Sequence, residues 1–203
     1  KVDKHTGDLS GNMLEIGSYT LESKRDDYDL SVAPAQNGQY FLLVTDISAS
    51  DRNSLDVVLL DKNLKIKQHA SIDLQYPKNT YSLEDVKYTA NNKIVVLGKE
   101  FDEVPVGKRK RTRLVFKKYA MAIYSAKGKK EKDVVVESND KYTLGGKLME
   151  LKNGELLLAG FYSNTSKKED LNGFFLSKLN TELELNVLHQ DSKFQPELME
   201  TPR

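Results

Sequence analysis

A chain of 203 residues is long enough to bury a core without disulfides or metal, and it has the size of one domain. Its 31 Lys and Arg against 30 Asp and Glu leave a net charge of +1, without the basic excess of a chain built mainly to hold nucleic acid. The absence of Cys excludes a disulfide framework, a thiolate zinc site and a cysteine nucleophile, and no apolar run reaches the ~20 residues of a membrane span.

Taken in order, the chain opens on KVDKHTGDLS, with neither an initiator Met nor an apolar leader core, as in a processed chain or a piece of a longer one. Val2 to Ile16 reads as a hairpin around an Asp-, Thr- and Gly-rich turn. Leu30 to Ala33 then leads into the Asn37-Gly38 turn and the apolar strand YFLLV. LDVVLL (Leu55–Leu60), the turn DKN and a half-exposed strand with Leu64, Ile66 and Ile72 follow. The second unit repeats this order: Val86 to Tyr88, the Asn91-Asn92 turn, IVVL, a long basic loop, YAMAIY, the turn AKGK and DVVVE. The third repeats it again with KLMEL, Asn153-Gly154, LLLA, a polar loop, GFFLSKL, NTE and LELNVL.

NGQYFLLV, NNKIVVLG and NGELLLAG thus stand at the centre of three matching units, each a dense apolar run behind a tight turn. Such a run predicts a strand buried on both faces. Four strands per unit, recurring about every 40 to 60 residues, is the pattern of propeller blades. A purely helical reading fails on the short apolar runs, their β-branched residues and the turns between them, and an immunoglobulin-like sandwich, the structural alternative, does not explain three matching units. The fold expected is all-β: four-stranded antiparallel blades in an incomplete ring of three and a half. Residues 1–23 form the second half of a blade, 24–82, 83–140 and 141–191 one blade each, and 192–203 a tail. Bare sheet edges invite pairing, so the expected ring continues in further chain or pairs with another molecule.

APAQNGQYFLLVT (Ala33–Thr45) resembles the strand-and-turn signature of bacterial TolB-like and WD40-like propellers. The chain has no Trp, so the Trp-Asp pair of true WD40 blades, the sialidase aspartate box and the quinoprotein docking motif are all missing. Gly145-Gly146 precedes the second strand of its unit, whereas the paired Gly of kelch blades follows it. The resemblance therefore implies a fold and carries over no functional residue.

The densest charge lies in GKRKRTRLVFKK, where Lys108, Arg109, Lys110, Arg111 and Arg113 suit an anionic ligand or an acidic partner. The same run also suits a solvated hairpin loop balanced by Glu100, Asp102 and Glu103. His5, His69 and His189 have no His or carboxylate at metal-ligand spacing, and Asp46, Asp51 and Asp56 lack the glycine of a calcium loop. No nucleophile elbow, phosphate loop or dinucleotide fingerprint occurs. Tyr76, Tyr81 and Tyr162 fall beside connections between strands, where tyrosine suits either an interface or the cover of a sheet edge.

In an up-and-down sheet the short turns share one rim and the long connections the other, and binding residues concentrate on long loops. The function expected is a non-enzymatic interaction module with no cofactor, docking a protein or cell-envelope partner on the long-loop rim, in the periplasm or at the cell surface. The rival is a propeller hydrolase or lyase with active-site carboxylates from several blades. Fold alone decides neither.

Overall fold

The computed structural model describes residues 4–7, 15–19, 24, 26–36, 38–49, 53–77, 79–106, 111–136, 142–165 and 171–193. The expected opening hairpin, the tip Lys108–Lys110 and the tail from 194 fall largely or wholly outside them. The described residues contain twelve strands and no helix. Strands β1 (Asp27–Ala35), β2 (Tyr40–Ser48), β3 (Asn53–Asp61) and β4 (Ile66–Asp73) form the first sheet. The second contains β5 (Tyr81–Tyr88), β6 (Lys93–Val106), β7 (Arg111–Ser125) and β8 (Lys130–Val136). The third contains β9 (Tyr142–Glu150), β10 (Leu156–Ser163), β11 (Gly173–Leu179) and β12 (Leu185–Lys193). Each is an antiparallel meander whose strands neighbour one another in chain order.

The sheets stack face to face, because alternate residues of each strand point to opposite faces. Leu42, Val44, Leu55, Val57 and Ile72 of the first sheet meet Val86, Tyr88, Ile94, Val96 and Tyr124 of the second. The opposite face of the second sheet, with Val95, Leu97, Tyr119, Met121 and Ile123, meets Leu148, Leu156, Leu158, Phe175 and Leu179 of the third. Ile94 to Leu97 are consequently at most 1% exposed on either face. The expectation that all three central strands are buried on both faces is met by β6 alone. In β2 and β10, Phe41 and Phe161 stand 41% and 50% exposed on the faces turned away from the second sheet.

Five of the six short turns share one construction. Residue i+3 takes a left-handed conformation and donates to the carbonyl of residue i, while the N–H of residue i bonds to the carbonyl of i+4. The left-handed residues are Asn92, Gly154, Leu64, Gly128 and Leu183, with φ from 56° to 83°. This is the three-residue hairpin loop closed by a left-handed residue. The Asn37-Gly38 turn is different, since Ala35 pairs directly with Tyr40 across a four-residue connection. One residue of register changes the face of every side chain after it. Leu42 and Val44 therefore face forward into the second sheet, whereas Val96, the sequence counterpart of Leu42, faces back toward the first. The likeness of the three motifs conceals that inversion.

The connections on the other rim are shorter than the sequence suggested, because the strands run further. Only 49–52 separate β2 from β3, and 74–80 separate β4 from β5. The expected basic loop from Glu100 to Lys117 is a hairpin instead, with the ladder continuing to Val106 opposite Arg111. Valine, threonine and phenylalanine are strong strand formers, and Phe101 and Phe116 pair edge to face across it.

Two turn leucines give a paired test. Leu64 is exposed with φ 63°, and Leu183 is buried with φ 59°. Leu64→Gly relieves the left-handed strain and should stabilise the chain by about 1 kcal/mol in urea unfolding. Leu183→Gly relieves the same strain but exposes a core contact, and should destabilise by about 1 kcal/mol or more. Equal shifts for the two would refute the turn assignment.

Candidate functional site

Between the β6–β7 hairpin and the start of β9 lies a cleft of about 630 Å³ on the rim opposite the short turns. Phe101, Leu114, Phe116 and Leu144 supply apolar walls, and Ser82, Glu84, Lys99, Arg113, Tyr142 and Thr143 supply polar groups. Three irregular pairings surround it. The ladders skip Glu84 in β5, Leu144 in β9 and Lys117 in β7. Bulges of this kind re-aim side chains and are common beside functional sites.

The bulge at Glu84 produces the joint between the second and third sheets. Glu84 Oε2 accepts from the Gly146 amide at 3.0 Å, and Asp85 Oδ2 accepts from the Leu148 amide at 2.8 Å. Lys99 Nζ pairs with Glu84 Oε1 at 2.9 Å and donates to the Leu144 carbonyl at 3.0 Å. In return Lys147 Nζ donates to the Glu84 carbonyl. Both members of the Lys99–Glu84 pair are largely buried, so each satisfies the other in low dielectric. Above it Tyr119 spans to Gly146, where a Cβ would stand 2.8 Å from the phenol oxygen. The Tyr119 hydroxyl and the neighbouring Thr143 hydroxyl are buried without a well-formed hydrogen bond. Burial pushes the Tyr119 phenol well above its ordinary range, and the adjacent Thr143 offsets this in part.

The residues singled out from the sequence have separate fates. Arg113 is exposed and lines the cleft. Arg111 ends the ladder opposite Val106, and Lys108, Arg109 and Lys110 form the connection beyond the described residues. Lys117 and Lys118 are drawn back by Glu100 and Asp102, at 2.9 Å and 3.2 Å for Lys117 and 3.5 Å for Lys118–Glu100. Tyr162 is 1% exposed and belongs to the core between the second and third sheets. Tyr76 and Tyr81 stack at 4.5 Å, with an interplanar angle of 11°, against the core between the first and second sheets. Burial, followed by the charges of Tyr76, Tyr124, Asp46 and Glu84, raises the Tyr81 phenol well above its ordinary value.

Two constellations escaped the sequence. Asp56 receives the Tyr19 hydroxyl and pairs with His69 Nε2 at 2.7 Å, which ties the segment 15–19 to the outer face of the first sheet. Asp29 and Asp46 oppose one another directly across β1 and β2. Both arise from cross-strand register, for which neighbouring sequence holds no signal.

Burial, and then the charge of Asp29, raise the Asp46 carboxyl to about 6. Its folded value thus exceeds the unfolded one, and the folded chain binds more protons between about pH 4 and pH 6. Stability should fall as pH rises through that window, and Asp46→Asn should remove the slope and stabilise the chain at pH 7 by about 1–2 kcal/mol. Urea titrations at pH 4, 6 and 7.5 measure this, and an unchanged slope in the variant would contradict it. Glu84→Ala leaves Lys99 buried without its partner, and should cost about 3 kcal/mol in the same assay against less than about 1 for Glu103→Ala.

No protein-family model matches this chain, and no curated protein matches it.

Proposed function

We propose that the three stacked meanders are blades of a β-propeller and that the chain is a non-enzymatic binding module. A protein or cell-envelope partner docks on the rim from which the β6–β7 hairpin projects. The observation that carries this reading is the hairpin itself. Its arms run from Phe101 to Val106 and from Arg111 to Phe116, and the cleft lies at its base. A two-stranded arm is a rigid platform compared with a loop, and rigid platforms present binding residues at low entropic cost. The blade assignment is supported by the four-strand order of each sheet and by the cover on both faces of β6.

The acids nearest the cleft argue for binding over catalysis. Glu84 and Asp85 hold backbone amides of β9, a structural task that leaves neither poised for proton transfer. The rival hydrolase or lyase reading draws support from Asp29 and Asp46, an opposed pair in which one carboxyl titrates near 6.

A photo-crosslinking residue placed at Leu114 should give a discrete protein adduct in cells that express the chain. The same residue at Lys62, in a turn on the opposite rim, should give none. Equal adducts at both positions, or none at Leu114, would overturn the rim assignment.

A further inference from the structure

We propose that the open edge of β1 is a strand-addition site, which pairs with an extended partner segment that alternates apolar residues with Lys or Arg. This goes beyond the rim reading above, since it concerns the first sheet and not the β6–β7 hairpin.

Among the described residues the three sheets have six edge strands: β1, β4, β5, β8, β9 and β12. Five of them pair with their neighbours through ladders that carry a register shift. Bulges blunt a sheet edge against further pairing. β1 is the exception: all 9 of its residues, Asp27 to Ala35, pair with β2 without interruption. It carries no Lys or Arg, and Tyr28, Leu30 and Val32 are each more than half exposed.

Pro34 fixes which backbone groups face outward. Proline has no N–H to give to a ladder, so within a sheet its nitrogen faces the free side of an edge strand. The strand period of two then turns the amides of Val32, Leu30 and Tyr28 to the same side. The Tyr28 amide accordingly donates to Asp27 Oδ1 at 2.9 Å. No bond among the described residues reaches Leu30 or Val32 from that side. β9 shows the contrast, since its Gly146 and Leu148 amides are taken by Glu84 and Asp85.

The side chains choose the occupant. Asp29 opposes Asp46, and both Asp27 and Asp29 are exposed on the face of β1 turned toward the second sheet. A residue opposite them on an added strand lies about 5 Å away between Cβ atoms, where Lys or Arg is favoured and Asp or Glu is not. On the other face Tyr28, Leu30 and Val32 suit apolar neighbours. A second copy of β1, added antiparallel, gathers Asp27 and Asp29 of both chains on one face, so self-pairing is disfavoured. In such an addition main-chain bonds supply affinity and alternate side chains supply selectivity.

The probe is acetyl-Thr-Val-Lys-Val-Lys-Val-Thr-amide, with a counterpart that has Glu in place of both Lys. Each is titrated into the whole chain and followed by amide hydrogen exchange. In the free chain Ser31 and Ala33 should be protected, and Leu30 and Val32 open. The Lys peptide should slow exchange at Leu30 and Val32 by about ten-fold or more and leave Ser31 and Ala33 unchanged. The Glu peptide should bind about ten-fold more weakly, as two favourable cross-strand pairs become unfavourable. Val32→Pro removes a donor that β2 does not use, and should weaken the Lys peptide several-fold. Asp29→Lys should invert the preference between the peptides. Circular dichroism confirms that each variant is folded.

Unchanged exchange at Leu30 and Val32, or indifference to Val32→Pro, would overturn strand addition. Equal binding of the two peptides, or an unchanged preference in Asp29→Lys, would overturn the choice of a basic strand. Concentration-dependent protection of Leu30 and Val32 without peptide, with a dimer in sedimentation, would make a second copy the occupant and overturn the proposal. Crosslinking at Leu114 reads a different surface, so the rim reading stands or falls separately.

Discussion

Four consecutive side chains, Ile94, Val95, Val96 and Leu97, set the architecture. None has a polar atom beyond its backbone, and alternation along the strand sends two to each face. Fully burying one such side chain contributes roughly 1.5–3 kcal/mol, so leaving either face open forfeits several kcal/mol of a marginal total. Both faces of the second sheet therefore need an apolar sheet against them. The first sheet covers Ile94 and Val96, and the third covers Val95 and Leu97. The outer faces of those two sheets are under less constraint, and Tyr28, Leu30, Val32, Met149 and Phe161 stand at least half exposed there.

The two joints made by this stacking are chemically unlike. Between the first and second sheets the polar links are few: Gln36 donates to the Thr89 carbonyl at 2.9 Å, and the Tyr76–Tyr81 stack closes the rim. The raised Asp46 carboxyl, opposed by Asp29, lies on the side of the first sheet that faces this joint. The second joint is held by charge-assisted bonds from Glu84 and Asp85 to the backbone of β9, reinforced by Lys99 and Lys147. Such bonds are shorter and stronger than neutral ones. The cleft thus lies beside the joint that carries the charge-assisted bonds.

Strand positions and turns were legible because their signals are local. The apolar runs behind Asn-Gly and Asn-Asn, and the turns DKN, AKGK and NTE, fall where the structure has strands and hairpin turns. The β6–β7 hairpin was hidden by its own charge: alternating Lys, Arg, Asp and Glu mask the strand formers Val104, Val106, Thr112, Leu114 and Phe116. The inverted face of β2 depends on one residue of turn length, which the shared Asn-Gly motif obscures. Of the proposed site, Arg113 was visible as part of the basic run. Glu84, Lys99, Thr143 and Leu144 were not, since 15 to 45 residues of chain separate partners such as Glu84 and Lys99, or Lys99 and Leu144.

The bulges explain how so many groups converge at one place. In a regular strand Glu84 and Asp85 point to opposite faces, and only one of them reaches β9. Skipping Glu84 in the ladder lets both carboxylates address the same neighbouring backbone, two residues apart at Gly146 and Leu148. Skipping Leu144 frees its carbonyl side of the strand for the Lys99 ammonium and turns its side chain into the cleft wall. Skipping Lys117 interrupts the ladder of the long hairpin where it leaves the sheet, and Glu100 and Asp102 pair with that lysine. Each irregularity costs ladder hydrogen bonds, and a sheet built for stability alone has no use for three of them around one cavity. Three of the six register shifts among the described strands gather there, at the base of the projecting hairpin, and the other three lie elsewhere in the sheets.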